Sequence, residues 1–163
     1  MKESEFLENK ILSWKALSKK AYFWRFKSQT IGFTNGCFDL LHQGHLHVLC
    51  EASDLVDALV VGLNSDTSVR KLKGNNRPIK DEMTRAKLLA GFHFVDAVII
   101  FEEETPYNLI QMLEPDVLVK GGDWEVQNIV GADLVQSKGG NVVTVPYLEG
   151  MSTTNIEEKI KKS

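Results

Sequence analysis

Along residues 1–28, apolar side chains recur at roughly helical spacing. Phe6, Leu7, Ile11, Trp14, Leu17, Ala21, Trp24 and Phe26 are separated by Lys and Glu. One or two amphipathic helices are predicted there. They pack on the flank of a domain or, because aromatics crowd together, against a second subunit. From Thr30 the pattern alternates. Residues 30–34 are β-branched and aromatic and predict a strand. Residues 57–63 and 95–101 are near-continuous apolar runs, as strands buried on both faces are. Residues 116–120 and 141–146 predict two more strands. Between them, helices are predicted over 44–55, with Leu46, Leu49 and Ala52 inward, and over 81–92, with Met83, Ala86, Leu89 and Ala90 inward. A further helix spans 105–113, with Thr105 as N-cap and Pro106 at its first position. The last two span 126–137, closed by Gly139-Gly140, and 152–162.

Strands alternating with helices imply an α/β fold: a single Rossmann-like, doubly wound, five-stranded parallel sheet with an N-terminal helical extension. Ligands of such sheets sit beyond the carboxyl ends of the strands. The length, 163 residues, suits one domain. Charged residues make up 25% and hydrophobic ones 43%, the balance of a globular protein and not of a disordered one. The net charge of −3 disfavours a nucleic-acid partner. No run approaches the ~20 apolar residues of a membrane helix, so no membrane partner is expected. The first residues lack signal-peptide order. Only Cys37 and Cys50 are present, too few for a disulfide framework, so a cytoplasmic location is expected.

The first strand runs into Thr34-Asn35-Gly36-Cys37-Phe38-Asp39-Leu40-Leu41-His42-Gln43-Gly44-His45. Neither the dinucleotide glycine fingerprint nor a Walker loop is present. What remains is His42 and His45, three residues apart at a helix start, where both imidazoles share one face. The helix N–H groups and dipole favour an anion there. Two histidines aimed at it form a phosphate site whose donors stabilise growing charge. A zinc half-site completed by Cys37 or Asp39, or a purely structural capping pair, are the alternatives. His47 is out of phase and packs; His93 lies at a helix end and reads as structural or as a surface residue.

The segment from Gly36 to His45 resembles the signature of the cytidylyltransferase-like nucleotidyltransferases, His-x-Gly-His after the first strand. Thr34-Asn35-Gly36-Cys37-Phe38-Asp39, Asn64-Ser65-Asp66, Leu72-Lys73-Gly74 with Arg77-Pro78, Val119-Lys120-Gly121-Gly122-Asp123 and Ser152-Thr153-Thr154-Asn155 occur in order. Together they are similar to the D-glycero-β-D-manno-heptose 1-phosphate adenylyltransferases, over about residues 30–160. The division this implies is an extension, 1–28, and a nucleotidyltransferase domain, 29–163. The implied reaction moves an adenylyl group from ATP to a sugar 1-phosphate, with Mg2+ on the triphosphate and Asp39 as the protein group nearest the metal. The implied catalytic residues are His42, His45 and Lys73. Implied nucleotide contacts are Thr34, Asn35, Gly36, Cys37, Phe38, Lys71, Arg85, Gly122, Ser152, Thr153 and Thr154. Implied substrate contacts are Asn64, Asp66, Arg77, Lys120, Asp123 and Glu149. A homodimer is expected.

The basic stretch from Arg70 to Arg77 otherwise reads as a solvated loop, Lys120-Gly-Gly-Asp as a glycine turn, and Thr154 with Glu157 or Glu158 as ordinary capping. Cytidylyltransferases of this superfamily carry an Arg-Thr pair where this chain has Tyr147-Leu148, which predicts ATP over CTP. A glycerol 3-phosphate-type cytidylyltransferase and a non-catalytic nucleotide sensor are the competing functions.

Overall fold

The structure is a computed structural model and describes residues 2–146. Five strands form one sheet: β1 (Ile31–Gly36), β2 (Ala58–Asn64), β3 (Ala97–Phe101), β4 (Val117–Gly121) and β5 (Asn141–Val145). All pairings are parallel, in the order β3-β2-β1-β4-β5. Around the sheet lie α1 (Glu3–Glu8), α2 (Trp14–Phe26), α3 (Gln43–Asp54), α4 (Asp66–Lys73), α5 (Glu82–Ala90), α6 (Tyr107–Leu113) and α7 (Ala132–Ser137).

Strand alternation divides the core in two. Phe33, Val60, Ile99 and Leu118 face α2, α6 and α7, meeting Leu17, Trp24, Leu109, Leu113 and Val135. Val61, Leu63, Val98 and Val119 face α3 and α5, meeting Leu49, Ala52, Ala86 and Leu89. This is why β2 is buried at every residue and reads as an unbroken apolar run. At the amino ends of the strands, three aspartates set the register. Asp57 accepts the Thr30 N–H at 2.8 Å, Asp96 the Leu59 N–H at 2.8 Å, and Asp116 the Ile31 N–H at 2.7 Å.

The N-terminal segment completes this layer. Ile11 bridges Val98 in parallel fashion, with Leu12 N–H donating to the Val98 carbonyl and Val98 N–H to the Lys10 carbonyl, both at 2.8 Å. The β3 edge is thereby covered, which blunts an edge open to pairing. Leu17, Ala21 and Trp24 then bury one face of α2, while Tyr22, Phe23 and Phe26 stay exposed. Among the described residues, no helix is long and apolar enough to cross a membrane.

Four local expectations are corrected. The basic stretch after β2 is not a loop up to its end: residues 66–73 form α4, because Ser65 caps it through the Ser68 N–H and Asp66 opens its first turn. Residues 126–137 are not one helix. A 3₁₀ turn (Val126–Asn128) precedes α7, and Gly131 between them adopts a left-handed conformation, φ 84°, that breaks the helix. The N-cap of α6 is Pro106, without a side-chain bond, not Thr105. Leu46 and Met83 point outward; on α5 the inward place next to Ala86 belongs to Arg85, which is fully buried. The final helix, over 152–162, falls outside the described residues.

Candidate active site

The sheet order reverses between β1 and β4, and the crevice beyond their carboxyl ends is where such a fold opens to ligand. β1 delivers Gly36 and Cys37 to it; β4 delivers Lys120 and Gly121. Past β1 the chain turns through Phe38, at φ 47°, and this ring packs down into the core beside the His45 ring, centroids 5.2 Å apart. The turn ends at His42, the N-cap of α3. Its Nδ1 accepts the Gly44 N–H at 3.1 Å. That bond places the neutral ring's proton on Nε2, which remains a donor. His45 lies one turn on, its ring 3.9 Å from that of His42.

Burial lowers the His42 pKa. His45 is pushed down to about 4 by burial first, then by His42 and by Lys73. Both rings are therefore neutral near pH 7. The His45 Nδ1 is buried and has no hydrogen-bond partner among the described residues. Lys73, at the end of α4, is exposed and close enough for its charge to lower both His45 and Cys37. Burial nonetheless pushes the Cys37 thiol up overall, so it is a thiol and not a nucleophile at neutral pH. Burial lowers Lys120, whose Nζ sits 5.7 Å from the Trp124 ring centroid. Neutral imidazole donors, a helix N-terminus and two lysines around one crevice suit an anion with charge spread over several oxygens.

The structure thus gathers His42, His45, Lys73, Cys37 and Lys120, with Asn35, Gly36 and Gly122 at the strand ends. Gly122 has φ 112°, a conformation that a side chain would strain. Lys71 and Asp123 are exposed nearby in sequence. Several other expected contact residues have their side chains engaged within the protein. Arg85 is fully buried. Its guanidinium donates to the Lys80 carbonyl (2.9 Å), the Cys37 carbonyl (2.7 Å), the Asn64 carbonyl (2.8 Å) and the Asp66 carboxylate (2.7 Å). Asp66 is correspondingly engaged by Arg85, and Asn64 is buried with its amide on the Ser68 hydroxyl. Thr34 and Phe38 have buried side chains that belong to the sheet and the core. Arg77 is ion-paired with Asp39. Ser152, Thr153, Thr154 and Glu149 lie outside the described residues, as do Tyr147 and Leu148. Sequence reasoning missed Trp124, whose signal was a large aromatic directly after a strand-end Lys-Gly-Gly-Asp.

Asp39, expected nearest the metal, has its carboxylate engaged by protein donors. Its carboxylate already accepts from the Arg77 guanidinium and from the N–H groups of Ile79 and Lys80. Among the described residues, no group of three His, Cys, Asp or Glu side chains is arranged to hold a metal ion.

A family model described as cytidylyltransferase-like matches residues 33–159, from within β1 through the histidine turn and the other four strands. The chain belongs to this family. Among its relatives is the bifunctional protein HldE of Nitrobacter hamburgensis, 52% identical over 143 residues that cover 88% of this chain and 29% of HldE. The chain spans about three tenths of the length of the curated relatives it matches. A crystal structure of the lipopolysaccharide core biosynthesis protein from Thermoplasma volcanium is 30% identical, with TM-score 0.58, covering 74% of this chain and 97% of that one. The pantoate-beta-alanine ligase of Francisella tularensis, 16% identical, shares the fold, with TM-score 0.62 over 93% of this chain and 76% of its own.

Proposed function

We propose that this chain transfers the adenylyl group of ATP to D-glycero-β-D-manno-heptose 1-phosphate, giving ADP-heptose and pyrophosphate, in the cytoplasm. The observation that carries the reading is the His42 cap of α3, with the tilted His45 ring against it one turn on and Lys73 near enough for its charge to reach His45, at the switch point of the sheet. The relatives support it: an HldE protein matches most of the chain, and a protein of lipopolysaccharide core biosynthesis matches three quarters of it.

The sugar phosphate is already ionised at neutral pH, so no general base is required. One of its oxygens forms a bond to the α-phosphorus of ATP as the bond to the pyrophosphate oxygen breaks. The leaving group departs with that electron pair. The protein contributes position and charge stabilisation. The Nε2–H of His42 and the ring of His45 donate to non-bridging oxygens, and Lys73, with Lys71 and Lys120, meets the negative charge. Magnesium, when bound with the triphosphate, would supply neutralisation of its charge. Tyr22, Phe23 and Phe26, exposed on α2, support the expected homodimer; sedimentation velocity tests it.

The test is a pyrophosphate-release screen of five nucleoside triphosphates against heptose 1-phosphate, hexose 1-phosphates and glycerol 3-phosphate. Expected is kcat/KM for ATP at least about tenfold above CTP with the heptose substrate, a gap of about 1.4 kcal/mol. His45→Ala should lose about 10²-fold in kcat, the scale of one lost oxyanion donor. Equal use of CTP, or turnover with glycerol 3-phosphate alone, would overturn the substrate assignment. Near-wild-type turnover in His45→Ala would overturn the catalytic one.

A further inference from the structure

The loop between α4 and α5 is bound to the histidine turn by a single buried carboxylate. Asp39 lies three residues before His42 and is almost fully buried. One oxygen, Oδ1, accepts the N–H of Ile79 at 2.8 Å and the N–H of Lys80 at 3.1 Å. The other, Oδ2, is paired with the Arg77 guanidinium. The Lys80 ammonium reaches back to the Asp39 carbonyl at 3.4 Å. From the other side, Arg85 holds the Lys80 carbonyl and the Cys37 carbonyl, so the same loop and the same turn are tied twice.

Three donors on one buried carboxylate are more than a surface ion pair. Burial alone would raise this carboxyl; the Arg77 bond and the Lys80 and Ile79 N–H groups outweigh it and hold it below the usual range. The tied loop follows directly on Lys73. Only residues 74–76 separate that lysine from Arg77, and Gly74, at φ 95°, faces open space where a side chain would stand. α4 is thus anchored at its start by the Ser65 cap and, beyond its end, by residues 77–80.

We propose that Asp39 is a positioning residue: by fixing residues 77–80 to the turn that carries His42 and His45, it holds Lys73 beside the histidine pair. This rests on the adenylyl-transfer reading only for its consequence, the effect on nucleotide binding. The position of Lys73 itself is measurable without substrate, because its charge is one of the forces that lower His45.

The test is a double-mutant cycle of Asp39→Ala and Lys73→Ala, read by NMR titration of the His45 ring, amide exchange and ATP affinity. Lys73→Ala should raise the His45 midpoint by removing a neighbouring cation. Asp39→Ala should raise it too, with the double variant no higher than Lys73→Ala. The Ile79 and Lys80 amides should exchange faster in Asp39→Ala, while α3 amides keep their protection. ATP affinity should fall about tenfold or more in Asp39→Ala, and not fall further when Lys73→Ala is added. An unchanged His45 midpoint in Asp39→Ala, or additive effects in the cycle, overturns the proposal. If Asp39→Ala does not fold, Asp39→Asn, which keeps an acceptor for the two N–H groups but loses the charge, is read by the same criteria. Absence of ATP binding by the unaltered chain refutes the function reading, and the His45 titration then decides the positioning role alone.

Discussion

Arg85→Met offers the sharpest discrimination between a buried support and a phosphate contact. The guanidinium is fully buried and donates to three carbonyls and one carboxylate. Methionine fills a similar volume but supplies no donor. Breaking a buried pair by removing one partner costs about 3–5 kcal/mol, and each orphaned buried acceptor about 1–3 kcal/mol. Two terms reduce the sum. Asp66 is partly exposed and rehydrates, and burying the methionine returns about 1.5–3 kcal/mol. The net expectation is a loss of at least about 3 kcal/mol, a large share of the ~5–15 kcal/mol that holds a domain together. In urea this moves the midpoint by about 2 M, and in a thermal scan it lowers Tm by about 10 °C or more. Arg85→Lys should fall between, since an ammonium is a single point of donation and cannot span four acceptors. The assay is urea unfolding followed by tryptophan fluorescence, with ATP affinity on the same samples. A loss under about 1 kcal/mol with affinity down tenfold would refute this reasoning and restore Arg85 to the nucleotide.

The histidine pair makes stability depend on pH. His45 is held at about 4 in the folded chain against about 6.5 unfolded, so only the unfolded state takes up its proton between those values. That contribution is complete above pH 6.5 and is lost as pH falls toward 4, by about 2 kcal/mol after allowing for the part-exposed ring. Urea midpoints at pH 7.5 and 4.5 should differ less in His45→Ala than in the parent, and equal differences would contradict the shift. Deleting residues 1–25 removes Leu17 and Trp24 from the core, about 3–6 kcal/mol of burial, and uncovers the β3 edge at Val98. Light scattering should show association of the truncated chain, and a monodisperse product of unchanged Tm would show that the segment is a passive tail.

The sheet was legible because burial on both faces writes itself as apolar runs. Each of the five expected strands lies within one or two residues of its observed bounds. The histidine turn was legible for a different reason. Two imidazoles at i and i+3 with a glycine between them cannot share a helix start without presenting one face. What escaped was the destination of charge. Arg85, Asp39, Arg77 and Asp66 were expected at ligand or metal from the family resemblance. Their partners within the protein come from segments distant in sequence, and no spacing rule reports those. The aspartates before β2, β3 and β4 escaped likewise: Asp57, Asp96 and Asp116 each serve an N–H that another segment delivers.

The cations at this site divide by chemistry. Where parallel strands stop, their last carbonyls have no further strand residue to satisfy them, and an unpaired buried carbonyl is costly. Arg85 answers two of these, at Cys37 and Asn64, and one loop carbonyl, with a rigid planar fork suited to several fixed oxygens at once. Arg77 similarly meets the fixed Asp39 carboxylate. The residues left at the mouth are lysines, Lys73 and Lys120, whose single ammonium on a long stem follows an oxygen that moves. A phosphoryl group in transfer has such oxygens, since bond lengths and charge distribution change along the reaction. Exchanging the two types should therefore fail in both directions. On the proposed adenylyl-transfer reading, Lys73→Arg keeps the charge but brings a stiffer fork and should lower kcat, while Arg85→Lys leaves strand-end carbonyls unanswered and should lower the urea midpoint.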